Sequence, residues 1–118
     1  MRMEGLRDRT KHFALRVVRM YSTLPKETSA QVMGKQVLRS GTSVAANFRE
    51  ASRARSDAEF ISKLGIVEQE LDESILWFEL LVESGVVAET KLASLRQEAE
   101  ELIKITVTAI KKTKAQKK

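Results

Sequence analysis

Lys35, Arg39, Arg49 and Arg53 are the residues of this sequence whose type and spacing best fit a chemical task, and the task is holding phosphate. On a helix, at about 100° per residue and with Lys35 at 0°, Arg39 falls near +40°, Arg49 near −40° and Arg53 near 0°. Val44 lies on the opposite side. Thr42 and Ala46 share the stripe and are small enough to let a phosphate backbone approach. Guanidinium forks match phosphate oxygens in pairs, and Arg55 continues the series. The lysine-rich stretch from Lys111 to Lys118 is placed to extend it. Two plainer readings give the same pattern: charge that only faces water, or pairing with Glu68, Glu70 and Glu73 of the same or another subunit.

Catalytic arrangements are scarce. His12 is the sole histidine, which excludes the paired Glu-x-x-His ligands of di-iron bundles and a histidine-rich zinc site. No nucleophile elbow, P-loop or dinucleotide fingerprint occurs. The absence of cysteine removes disulfide and thiolate chemistry and suits a reducing compartment. One pattern matches a nuclease motif: Arg7 to His12 has the R-x4-H spacing of HEPN-type ribonucleases, in which arginine and histidine act at the RNA phosphate. There the motif sits on a later helix, whereas here it opens the first. The sequence therefore points to no enzyme, no metal and no cofactor.

The elements that must position the basic stripe are helices. Pro25, the only proline, separates a first helix from a second. Ser56-Asp57-Ala58-Glu59 is a capping box that starts a third, and Gly85 suits the left-handed end of that helix. Helices are expected at 6–23, 27–54, 57–84 and 89–113. Phe60, Leu64, Val67, Leu71, Ile75, Phe78 and Val82 form one narrow apolar sector of the third, at the spacings of three and four of a bundle seam. Leu92, Leu95, Ala99, Leu102, Ile103, Thr106 and Ile110 do so in the fourth, and Phe13, Val17, Met20, Tyr21 and Leu24 in the first. Short connections make consecutive helices antiparallel, so the fold is all-α, an up-down-up-down four-helix bundle over residues 1–113, with a basic tail at 114–118.

The second helix carries Gly34 and Gly41, each costing about 1 kcal/mol relative to alanine in a helix interior. Gly41 falls among Met33, Val37, Val44, Phe48 and Ala51 on the apolar sector, so close approach of a neighbouring helix is the expected compensation. Ile66 and Trp77 lie off the seam of the third helix, on the side of Glu70. An isolated bundle does not need them there, and Ile66, Glu70 and Trp77 become candidates for a subunit interface, with packing against a displaced neighbouring helix as the plainer reading.

Charge is distributed unevenly. The net charge is +5, yet residues 1–55 hold 12 Lys/Arg against 4 Asp/Glu, residues 56–110 hold 4 against 12, and five lysines follow. Basic helices can lie against acidic ones, or the basic part can meet a polyanion. At 118 residues there is room for one core. No stretch approaches the roughly 18 apolar residues of a membrane span, and the beginning of the sequence lacks the apolar run of a signal peptide, so the expected location is the cytoplasm.

The block Arg39-Ser40-Gly41-Thr42-Ser43-Val44-Ala45-Ala46-Asn47-Phe48-Arg49-Glu50-Ala51, with Glu59-Phe60-Ile61-Ser62-Lys63-Leu64, Glu70-Leu71-Asp72-Glu73-Ser74 and Trp77-Phe78-Glu79-Leu80-Leu81 after it, resembles the bacterial four-helix bundle family also called the 23S ribosomal RNA intervening-sequence protein family. The similarity spans roughly residues 10 to 110. It implies an up-down bundle assembled into a ring, a homopentamer, with no known enzymatic activity. A distant relative of the same architecture, the accessory variability determinant of diversity-generating retroelements, is similar to a basic pentameric partner of nucleic acid, which favours the phosphate reading by analogy. The expected function is thus a non-enzymatic oligomeric bundle associated with RNA or DNA through its basic face. A structural or protein-interaction adaptor, its basic stripe consumed in salt bridges between subunits, is the alternative, and a HEPN-like ribonuclease a distant third.

Overall fold

The computed structural model describes residues 3–116. Four helices follow one another: α1 (Met3–Ser22), α2 (Thr28–Ser52), α3 (Asp57–Glu83) and α4 (Glu89–Ala115). Each begins and ends within three residues of the expected boundary. The capping box forms at Ser56, whose hydroxyl accepts from the Glu59 amide at 3.0 Å. Gly85 takes φ +82°, a left-handed conformation that residues with side chains rarely adopt. The Gly85 and Val86 amides then reach the Val82 and Leu81 carbonyls at 3.0 Å each, closing the end of α3.

Neighbouring helices run antiparallel, and α1 packs on α2, α2 on α3 and α3 on α4, while α1 and α4 approach less closely. The rod measures 52 × 20 × 19 Å. Across its centre Phe13 of α1 meets Phe78 of the diagonal helix α3 edge to face, with centroids 6.5 Å apart. Leu64, Val67, Leu71 and Phe78 are buried as expected, but Phe60, Ile75 and Val82 are only partly so, and Ser74 and Leu81 join the buried set. The buried sector of α3 is turned toward α2 relative to the seam centred on Phe60, because α2 is the helix that α3 touches along most of its length.

Gly41 explains that intimacy on the other flank of α2. A β-carbon there would stand 2.9 Å from both γ carbons of Val17, and one at Gly34 would stand 2.5 Å from Leu24 Cδ1. Both glycines admit α1 and its following turn, which offsets their poor helix propensity.

One polar contact crosses the core. Ser74 Oγ donates to the Glu70 carbonyl at 2.8 Å, and Ser40 Oγ donates to Ser74 Oγ at 2.8 Å, with both residues fully buried. Replacing Ser74 with alanine should cost about 1 kcal/mol and no more, since Ser40 can turn to the Val37 carbonyl at 3.3 Å. A thermal melt of Ser74→Ala checks this.

Candidate nucleic-acid interface

The basic stripe divides into two parts with different surroundings. Arg39 reaches across to α3, where it bonds Glu70 at 3.2 Å and also Glu73. The Glu73 carboxylate in addition accepts from the Trp77 indole at 3.2 Å. Arg39 is thus an ion-paired link between α2 and α3, the plainer of the readings its position allows, and among the described residues Glu68 forms no ion pair. Lys35 is exposed and stands about 27 Å along α2 from Arg53, at 1.5 Å per residue.

Arg39 holds the Glu73 carboxyl below the usual carboxylate range, with the indole a lesser cause. A carboxyl group depressed on folding adds stability that is present above its unfolded pKa and is lost as the pH falls through its folded value. Melting temperatures of the wild type and Arg39→Ala should therefore differ near neutral pH and converge as the pH falls below the ordinary carboxyl range. The gap should be small, because both side chains are partly exposed.

Toward the end of α2 the remaining arginines gather. Arg49, Arg53 and Arg55 line an open concavity with Lys11 of α1 and with Glu50, Glu59 and Lys63, over a floor that includes Ala45 and Ala46. Five cations thus face two carboxylates, one of which, Glu50, is already held by Lys63 at 2.7 Å. Among the described residues no ion pair engages Arg49, Arg53, Arg55 or Lys11. The alanine floor leaves the guanidinium groups standing above backbone level. A plainer contribution is also present, since cations near the end of α2 oppose its dipole.

Topology adds to the same end. α2 and α4 both run toward it, so the exposed Lys111, Lys112 and Lys114 sit at the pole that carries Arg53 and Arg55. The basic helix extends to Ala115, two residues past its expected end at 113, and Lys117 and Lys118 lie outside the described residues. Lys11 and Lys63 escaped the sequence reading because they sit on other helices; only the antiparallel register brings them to Arg49.

Ile66 and Trp77 behave differently from one another. Trp77 is partly buried against the core of its own chain, while Ile66 lines a shallow recess with Gly65, Glu68 and Ile103. Glu70 is occupied by Arg39. Leu76 and Leu80, which the seam analysis passed over, are the exposed large apolar residues of α3, at 47% and 39%. Arg7 and His12 are both exposed and, five positions apart, lie about 140° from each other around α1; they share no face. Among the described residues no group of three or more His, Asp or Glu stands close enough to hold a metal ion, and no helix is long and apolar enough to cross a membrane.

Residues 6–108 match the family described as 23S rRNA-intervening sequence protein. The chain belongs to that family. A crystal structure from Bacteroides thetaiotaomicron, described as a protein with unknown function from the S23 ribosomal protein family, is 39% identical, with a TM-score of 0.88 over 94% of this chain and 99% of that one. No curated protein matches the chain. Membership of the 23S rRNA-intervening sequence family accounts for the four-helix architecture, and the Arg39–Ala51 block through which the sequence resembles it holds Ser40, Gly41 and Arg39, each of which joins α2 to a neighbouring helix.

Proposed function

We propose that this protein is a non-enzymatic, self-associating bundle, cytoplasmic and a homopentamer as the family resemblance implies, that binds the phosphate backbone of nucleic acid, RNA foremost, at the pole where α2 and α4 end. The observation that carries this is the concavity of Arg49, Arg53 and Arg55 over Ala45 and Ala46, in which the three arginines lack ion-pair partners among the described residues. Such a site reads charge and not base identity, because helix-edge arginines meet backbone oxygens. Single-stranded RNAs of different sequence should bind with similar affinity and with the same linear fall of log affinity against log salt. A filter-binding or anisotropy titration across salt concentrations tests it; affinity indifferent to salt would remove the proposal.

The second reading, an adaptor without a nucleic-acid ligand, draws on Arg39. Its pairing with Glu70 and Glu73 is the fate that reading assigns to the whole stripe. Truncation after Ile110 bears on the choice: an RNA affinity that disappears with the lysines alone would leave the concavity to structural work.

A further inference from the structure

We infer that the outer face of α1 packs on the outer face of α3 of a second copy, side by side and head to tail. The contact specifies the self-association in the proposed function and does not depend on its nucleic-acid part. Leu15 and Val18 of α1 are 41% and 42% exposed, a matching pair to Leu76 and Leu80 of α3. Both pairs lie on the side of their helix away from the core, three residues apart on α1 and four on α3, as in the seam of a helix pair. Their flanks are opposite in charge. Lys11 and Arg19 border the α1 pair, Asp72 and Glu83 the α3 pair, and among the described residues none of the four is in an ion pair.

The two strips also share a register. α1 and α3 point the same way in the bundle, so two copies with parallel axes bring α1 of one alongside α3 of the next in parallel. With Leu15 beside Leu76, Lys11 is level with Asp72, Val18 lies within one residue of Leu80, and Arg19 within about one helical turn of Glu83. Apolar meets apolar, and each cation meets an anion. Because α1 and α3 are diagonal, each copy offers one face to the copy before it and the other to the copy after it. That is the heterologous arrangement, which generates rings where the rotation closes.

Mixing experiments exploit the asymmetry. Leu15→Glu spoils one face and Leu76→Glu the other, so each variant alone should be a helical 13.3 kDa monomer, with a loss of self-association of at least about tenfold. Combined in equal amounts they retain one sound pair of faces and should form a dimer by sedimentation or light scattering. Val18→Arg and Leu80→Arg repeat the test should circular dichroism show either glutamate variant unfolded. A wild-type multimer that both substitutions leave intact overturns the contact while sparing self-association, and a monomeric wild type overturns both. Two monomeric variants that fail to pair overturn the head-to-tail arrangement. RNA affinity of the monomers reports on the basic pole separately.

Discussion

Changing Arg49 and Arg53 together to alanine is expected to weaken RNA binding at least tenfold at low salt, about 1.4 kcal/mol or more, and to lower the slope of log affinity against log salt by roughly two units. The two arginines sit one helical turn apart above Ala45 and Ala46, so neither needs the other to stay in place and both face the same concavity. Loss of each contact removes one released counterion, and the drop should be nearly equal for RNAs of different sequence. The melting temperature should change little, since neither side chain forms an ion pair among the described residues. Arg39→Ala provides the contrast: it breaks bonds to Glu70 and Glu73, so it should touch stability and leave the salt slope nearly where it was. Equal salt slopes for the wild type and the double variant would place the phosphate contacts elsewhere, on the lysines of α4 if truncation then abolishes binding.

Gly41→Leu should lower stability by about 3 kcal/mol, the upper part of the overpacking range. The helix-propensity gain of roughly 1 kcal/mol works in the opposite direction. Geometry decides between them. A β-carbon alone would stand 2.9 Å from two γ carbons and 3.1 Å from the β-carbon of Val17. Valine has no flexible end to swing aside, being branched where the clash falls. α1 must therefore shift away from α2, which opens the buried packing around Phe13 and Val17. Gly34→Ala should be milder, because it adds a single carbon whose nearest atom is the flexible end of the Leu24 side chain, although the Tyr21 ring at 2.9 Å must also give. Denaturant melts of the two variants measure the difference, and a Gly41→Leu protein as stable as the wild type would contradict the close approach.

The break between α1 and α2 and both limits of α3 were legible because each is written in a single local device: Pro25, the hydroxyl of Ser56, the positive φ of Gly85. Gly41 was legible too, as a small residue lying on an apolar sector. The sites were less so. Arg39 and Arg49 belong to one stripe of α2, and nothing within α2 distinguishes them. What separates them is the side chain opposite, Glu70 and Glu73 for one and no ionic partner among the described residues for the other, and that is a matter of antiparallel register. Ser40 and Ser74 likewise appear as poor helix formers until they are placed 34 positions apart on facing helices and within 2.8 Å. Leu76 and Leu80 were hidden by a seam centred on Phe60, since residues about 180° from a strong apolar sector are read as solvent face.

The length of the rod gives its charge a local meaning. In 0.1 M salt a charge is felt over about 10 Å, roughly a fifth of the 52 Å long axis. A polyanion arriving at the pole where α2 and α4 end is thus blind to Glu83 and Glu89 at the far tip, and one arriving at that tip is blind to Arg53 and Arg55. The net charge of +5 describes neither encounter. In dilute salt, where the screening length approaches about 30 Å, the two tips act on the same approaching strand, and the molecule should swing end-on before contact, so its rate of association should depend on ionic strength more steeply than its overall charge implies.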